Sequence, residues 1–301
     1  MQSACATRTY GATRIGDSLS LWIAQDRHPS VRVHSVFRSV INLTTAGELI
    51  AIAPDQDGGL PNGILFAGAA DFRRQGVRAD MPVQMDGAAV RIPDTGLVIR
   101  LDAARPWSAR LPVADGGRWP TRSSAVHALA RCDADGTAEG AAMVPGWATA
   151  GLMAIPEARQ RLAAVGRAIV RTDRRAAAAA ARPLVGLGPG LTPSGDDALA
   201  GMEAALHALG HPAAGFLATA LDDVADRTTT VSATLLRHAA RGEFTERIHR
   251  LIAALLGDND AALPGAIERA IAWGATSGMD GLIGVLAGLD AAAAPGRRGL
   301  D

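Results

Sequence analysis

Two hydrophobic periods divide the chain. From Val31 the period is two: Val31, Val33 and Ser35 alternate with Arg32 and His34, the signature of a half-buried strand. Val40–Leu43 and Glu48–Ile52 follow, and Thr45-Ala46-Gly47 between them suits a hairpin loop. Further strands are expected at Gly63–Phe66, Pro82–Met85, Ala89–Ile92 and Leu97–Leu101, with turns at Asp86-Gly87 and Asp94-Thr95-Gly96. Residues 30–115 therefore read as a small antiparallel β domain, a sandwich or a barrel. Residues 1–29 are an ambiguous N-terminal segment, a short helix or a strand around Ser18–Ala24.

After Asp115-Gly116-Gly117-Arg118-Trp119-Pro120 the period becomes helical. Helices are expected at Thr121–Cys132, Pro156–Ala181, Ser194–Leu209, Ala213–Asp226, Thr228–Ala240, Thr245–Leu256, Pro264–Trp273 and Ser277–Leu289. The alanine run within Ala176–Ala181 fits a helix, alanine being the best helix former. Residues 121–290 thus form a mainly α-helical domain, and residues 291–301 a frayed tail. The fold class is α+β.

Composition narrows the function. Arg plus Lys and Asp plus Glu are each 30, so the net charge is zero, and nothing marks a nucleic-acid surface or a charged tail. The N-terminus has no apolar leader pattern and no apolar run is long enough to span a bilayer. Cys5 and Cys132 are far apart, which speaks against a disulfide framework and fits a reducing cytoplasm. Every basic residue is arginine or histidine; lysine does not occur. That excludes Schiff-base chemistry, a pyridoxal phosphate lysine and the P-loop lysine.

The densest motif is Gly186-Leu-Gly-Pro-Gly-Leu-Thr-Pro-Ser-Gly-Asp-Asp197, which runs into a helical pattern. A shorter copy is Thr276-Ser-Gly-Met-Asp280. Both share the frame Ser-Gly-x-Asp-x-Leu-x-Gly: Ser194, Gly195, Asp197, Leu199, Gly201, and Ser277, Gly278, Asp280, Leu282, Gly284. One reading is structural: Ser194 and Ser277 as N-caps, with Asp197 and Asp280 at N3 of a capping box. A simple cap, however, needs no loop holding four glycines and two prolines. The functional reading is an anion site, since glycines admit a ligand to backbone N–H groups and a helix N-terminus carries roughly half a positive charge. Two carboxylates would repel a bare anion. They suit an amide or amino group, a general base, or a Mg²⁺ held between protein and phosphate. No Gly-x-Gly-x-x-Gly or Gly-x-Ser-x-Gly is present, which disfavours a Rossmann site and a hydrolase triad.

Arg227-Thr228-Thr229-Thr230-Val231-Ser232 is a second polar cluster at a helix start. Arg227 suits an oxyanion, and Thr228 and Ser232 share a face. Asp222, Asp223 and Asp226 resemble an aspartate-rich Mg²⁺ motif but read better as a solvated face. His207 and His211 are spaced as metal ligands can be, yet Gly210 and Pro212 break the helix there, favouring C-terminal capping over zinc.

Gly188-Pro-Gly-Leu-Thr-Pro-Ser-Gly-Asp-Asp197 with Leu199-Ala-Gly201 resembles the signature of a bacterial family linked to the oxamate carbamoyltransferase of anaerobic allantoin breakdown, as its smaller subunit. Thr276–Gly284, the Thr228–Gly242 stretch and Val36-Phe37…Asn42-Leu43 are similar too, so the likeness spans roughly residues 30–290. The resemblance implies a cytoplasmic transferase subunit that acts on carbamoyl phosphate and oxamate, giving oxalurate and phosphate. It implies assembly with two larger carbamoyltransferase subunits, with no nucleic acid or membrane involved. Asp197, Asp196 and Ser194 are then the candidate catalytic residues. Gly188, Gly190, Thr192, Gly195, Arg227, Thr228, Ser232, Thr276, Ser277, Gly278 and Asp280 are the candidate substrate-binding residues. No cofactor is required, and Mg²⁺ is an open possibility; the alternative functions are a non-catalytic assembly subunit of the complex and a Mg²⁺-dependent phosphotransferase or hydrolase.

Overall fold

In the computed structural model, residues 7–24, 30–45, 48–114, 151–222, 224–257 and 259–294 are described. The expected Thr121–Cys132 helix, the 115–120 exit, the Ala46-Gly47 turn, Cys5 and Cys132 lie outside them. The chain divides into two units, Met1–Ala109 and Arg110–Asp301.

The first unit is a β-barrel. Its strands are β1 (Arg8–Gly16), β2 (Val31–Val36), β3 (Ile41–Thr45), β4 (Glu48–Pro54), β5 (Gly63–Phe66), β6 (Pro82–Met85), β7 (Ala89–Ile92), β8 (Leu97–Arg100) and β9 (Arg105–Trp107), with helix α1 (Asp17–Ile23) after β1. The ring runs β1-β5-β4-β3-β2-β6-β7-β8 and returns to β1, with β9 added alongside β1. Closure depends on β1. Its first half pairs with β8; its second half pairs with β5, across a bulge between Ala12 and Arg14, and with β9. Bulges bend a strand and increase its twist, which suits a strand that changes neighbours at a closure point. Closure leaves these strands without the open edges that invite aggregation.

Of the two sequence options, the barrel is the one realised. Most pairings are antiparallel, but β1–β8, β1–β9 and β4–β5 are parallel. The burial pattern follows the pairing. Along β2, Val31 and Val33 are buried while Arg32 and His34 are exposed. β5 is buried at every residue, and β4 at all but Glu48. Inside, Tyr10, Phe66 and Phe72 meet edge to face with centroids 5.1–6.1 Å apart, a geometry favoured by the ring quadrupole.

The second unit is helical: α2 (Ala158–Val170), α3 (Arg174–Ala181), α4 (Ser194–Ala208), α5 (Phe216–Leu221), α6 (Thr230–Ala240), α7 (Glu246–Leu256), α8 (Leu263–Ile271) and α9 (Ser277–Ala293). The expected Pro156–Ala181 helix is broken in two. Thr172 takes a left-handed φ of 54°, and the Asp173 side chain accepts from the Ala176 N–H at 2.8 Å to start α3. Ala213–Asp226 contracts to α5, because Gly215 turns the chain with φ 81°. The expected tail starts late, since α9 carries on to Ala293.

α4 and α9 are the central pair of this unit and pack closely against each other. Three glycines permit the approach. A Cβ on Gly201 would meet the Gly281 carbonyl, one on Gly284 would meet the Ala198 carbonyl, and one on Gly288 would meet Met202 and Ala205. The first two contacts are reciprocal: each motif's second glycine rests on the other helix's backbone at the matching position. That is a local pseudo-two-fold between the two Ser-Gly-x-Asp repeats. Leu199, Met202, Leu206, Leu282, Val285 and Leu289 fill the core around it.

Candidate functional site

The pseudo-two-fold brings the two motifs together at the N-terminal ends of α4 and α9. Thr192 Oγ1 and Ser277 Oγ are 2.8 Å apart. The two carboxylates cross over. Asp197, from the first motif, is stabilised by the hydroxyls of Ser277 and Thr192. Asp280, from the second, is stabilised by those of Ser194 and Thr276. Asp280 Oδ1 also accepts from the Leu152 N–H at 2.6 Å, and Gly151 lies against this carboxylate with no room for a Cβ.

The capping boxes expected from sequence are therefore absent. Pro193 and Thr276 occupy the cap positions, and neither helix has a side-chain cap hydrogen bond. The serine hydroxyls serve the opposite helix's carboxylate instead of their own helix's amides. Nor are the first amides of α4 free for a ligand. Gly195 N donates to Leu187 O at 2.8 Å, and Asp196 N and Asp197 N donate to Pro193 O at 2.9 and 3.2 Å. In the second motif Gly278 N donates to Trp273 O at 3.0 Å and Asp280 N to Thr276 O at 2.9 Å. Gly195 and Gly278 are required for packing: a Cβ on the first would strike Leu184 O and on the second Ala270 O. The donors that remain belong to the loop itself. Among the described residues the amides of Gly188, Gly190, Leu191 and Thr192 make no hydrogen bond.

Asp196 and Asp197 are neighbours in sequence with different environments, because a helix turns about 100° per residue. Asp196 faces the start of α6. Its Oδ1 accepts from Gly186 N at 2.8 Å; its Oδ2 accepts from Ser232 Oγ at 2.7 Å and from Thr228 Oγ1. Thr229 Oγ1 donates to the Leu191 carbonyl and also caps α6 by accepting from Ser232 N at 3.1 Å. Gly186, with φ 74°, rests against the Arg227 carbonyl. The start of α6 thus clamps the glycine loop through Asp196, and the hydroxyls of Thr228 and Ser232 are engaged in the clamp. The Arg227 side chain is exposed and makes no ion pair among the described residues.

The electrostatics are unusual for a neutral protein. Burial raises the Asp196, Asp197 and Asp280 carboxyls, opposed by their hydrogen bonds. Asp197 is pushed up to about 8, first by burial and then by repulsion from Asp280 and Asp196. Oδ2 of Asp197 and Oδ2 of the fully buried Asp280 have no hydrogen-bond partner. Orphaned buried oxygens of this kind call for an explanation.

Other sequence candidates lie away from this cluster. His207 faces Glu203 (Nε2 to Oε1, 3.1 Å) rather than capping a carbonyl, and His211 Nδ1 accepts from Ala213 N at 3.1 Å. Among the described residues no three His, Cys, Asp or Glu side chains group as a metal site. Asp222 and Asp226 are exposed, as a solvated face requires, and Asp223 lies outside the described residues. In the barrel unit Asn42 binds Ser35 Oγ at 3.0 Å and Asn62 binds Leu49 O at 2.8 Å. Among the described residues no helix is long and apolar enough to cross a membrane.

Residues 184–289 match the family model described as oxamate carbamoyltransferase subunit AllH. Residues 11–106 match the AllH family N-terminal domain. No solved structure matches the chain.

Proposed function

Because the chain belongs to the AllH family, we propose that it is a subunit of a carbamoyltransferase and that its glycine loop binds the small anionic substrate. The substrates in this reading are carbamoyl phosphate and oxamate, exchanged with oxalurate and phosphate. The larger transferase subunits complete the enzyme.

One observation carries the reading: among the described residues the loop amides of Gly188, Gly190, Leu191 and Thr192 are unpaired, and Thr192 of the same loop joins Ser277 at the crossed Asp197/Asp280 pair. Carbamoyl transfer requires stabilisation of phosphate and of the oxyanion that develops on the attacked carbonyl, and preorganised backbone N–H donors are suited to both. Arg227, carried on the clamp beside the loop, supplies an exposed cation for the phosphate. Asp197 contacts the ligand; Asp196 holds the loop in shape. Ser194, Ser277 and Thr276 tune the carboxylates.

The test is calorimetric and thermal-shift binding of carbamoyl phosphate, oxamate and phosphate, with and without Mg²⁺, to wild type and Asp197→Asn. Ligand at a hundredfold excess over its dissociation constant stabilises a protein by about 2.7 kcal/mol. Saturable stabilisation that the variant loses supports a substrate site in this subunit. Stabilisation that requires Mg²⁺ would point to a metal-bridged phosphate instead. Silence in both proteins would favour a second reading, in which the loop is a docking element for the larger subunits. Leu191 at the loop tip is 45% exposed, as a contact awaiting a partner would be.

A further inference from the structure

Three carboxylates occupy one buried cluster in a chain without lysine, yet the proposed ligand is an anion. Asp196 is satisfied by three donors. The conflict therefore falls on Asp197 and Asp280, whose Oδ2 atoms have no partner.

Their surroundings differ in a way that decides between them. A backbone N–H can only donate, so it favours an ionised acceptor. Asp280 has such a donor at 2.6 Å, from Leu152. Asp197 has only the hydroxyls of Ser277 and Thr192, which can accept as well as donate. Two close carboxylates out of water do not both ionise readily; one retains a proton.

We infer that Asp197 and Asp280 are an asymmetric pair: Asp280 stays ionised as a positioning residue, and Asp197 keeps its proton and donates it in a hydrogen bond to an anionic oxygen of the ligand. The donor role rests on the loop-site reading above; the pair itself does not. The arrangement removes the repulsion that two aspartates at an anion site would otherwise impose. It gives the loop a neutral O–H donor beside its N–H donors.

Among the described residues the charges that raise the Asp197 carboxyl are those of Asp280 and Asp196. On α6 the charged or titratable groups are Arg237 and His238, and His238 is paired with Glu243 at 2.6 Å. On α7, Arg250 is paired with Glu246 at 2.5 Å and Arg247 lies over the Trp273 ring at 4.3 Å. On α2, Arg161 binds the Pro183 carbonyl at 2.7 Å. His249 on α7 and Glu268 and Arg269 on α8 are the other charged or titratable groups of those two helices.

The experiment is infrared spectroscopy of the full chain with ¹³C-labelled aspartate carboxyls, titrated across neutral pH. Wild type should show a protonated carboxyl band at pH 7 that Asp197→Asn removes. Asp280→Asn should retain the band but titrate at least about one pH unit lower, the size of effect expected from removing a neighbouring like charge. Ser277→Ala should move the midpoint upward, because a hydroxyl that favours the ionised form is lost; this variant keeps the test alive should Asp280→Asn not fold. No band in wild type, or a midpoint unmoved in both variants, overturns the pair. Calorimetry with phosphate, oxamate and carbamoyl phosphate then tests the donor role. Affinity should fall about tenfold per pH unit above the wild-type midpoint. A band with no binding of any of the three overturns the donor role and with it the loop-site reading, while the pair stands.

Discussion

Thr192 Oγ1 and Ser277 Oγ lie 2.8 Å apart although 85 residues separate them in sequence. Their contact joins the loop before α4 to the start of α9 and marks the line across which the two Ser-Gly-x-Asp motifs exchange partners. That exchange and the close helix packing beneath it have measurable consequences.

Gly201→Ala and Gly284→Ala should each destabilise the protein by about 3 kcal/mol, the upper range for overpacking. In each the added methyl would overlap a carbonyl of the facing helix. Gly281→Ala adds its methyl where the nearest atoms, Asp197 O and Ile248 Cδ1, are 3.9 and 4.0 Å away. It should be neutral, or stabilise by up to about 1 kcal/mol through helix propensity. Urea midpoints of the three variants check the contrast; equal losses at all three positions would contradict the backbone-to-backbone packing.

Asp196→Ala should cost about 2–4 kcal/mol, since it leaves Gly186 N–H and the hydroxyls of Thr228 and Ser232 without their acceptor. Ser232→Ala removes one donor and should cost about 1–2 kcal/mol. Hydrogen exchange should show the loss at Gly186 and at the start of α6 before it reaches the end of α9. Uniform loss would mean that Asp196 is not a local clamp.

Gly190→Ala should separate binding from stability. Gly190 has φ 101° and open space around it, so the substitution strains the loop without a clash, at about 1–2 kcal/mol. Gly186→Ala instead drives a methyl into the Arg227 carbonyl and should loosen the clamp. In the proposed site, Gly190→Ala abolishes ligand binding with a small change in melting temperature. Unchanged affinity would remove the loop amides from the site.

The ligand-free protein should lose stability as pH rises from about 5 to about 8. The sign follows from proton counts. The folded-state value for Asp197 is about 8 against 3.8 for the ordinary group, so between these values the folded chain holds a proton that the unfolded chain has released. Raising the pH then favours the unfolded chain. Asp196 and Asp280 shift in the same direction. Asp197→Asn should flatten the slope over this window, read from urea midpoints. A slope of opposite sign would show these carboxylates to be stabilised as anions.

The local features were legible in sequence and the long-range ones were not. Gly63–Phe66, Pro82–Met85 and Ala89–Ile92 are strands at the expected residues, because alternation and turn residues act over a few positions. Barrel closure was not, since β1 must bulge and pair with three strands. The repeated motif announced two similar helix starts. Its serines look like caps by local rules, yet their hydroxyls serve the opposite motif's aspartate. The repeat sets Asp197 apart from Asp196, since Met279 stands where Asp196 does, but it does not say what either carboxylate meets; the direction each leaves α4 decides that. The break at Thr172 likewise required a left-handed residue that propensity disfavours.

The crossing of Asp197 and Asp280 also has a consequence during synthesis. A ribosome delivers the first motif well before the second, at about 5–20 residues per second. Until Ser277 and Asp280 emerge, Asp197 lacks one of its hydroxyl partners, and Gly201 has no facing backbone to rest on. A translation product cut short before α9 would therefore carry the whole glycine loop and still lack the crossed pair. It would also leave the face of α4 that packs on α9, with Leu199 and Met202 beside it, without its cover.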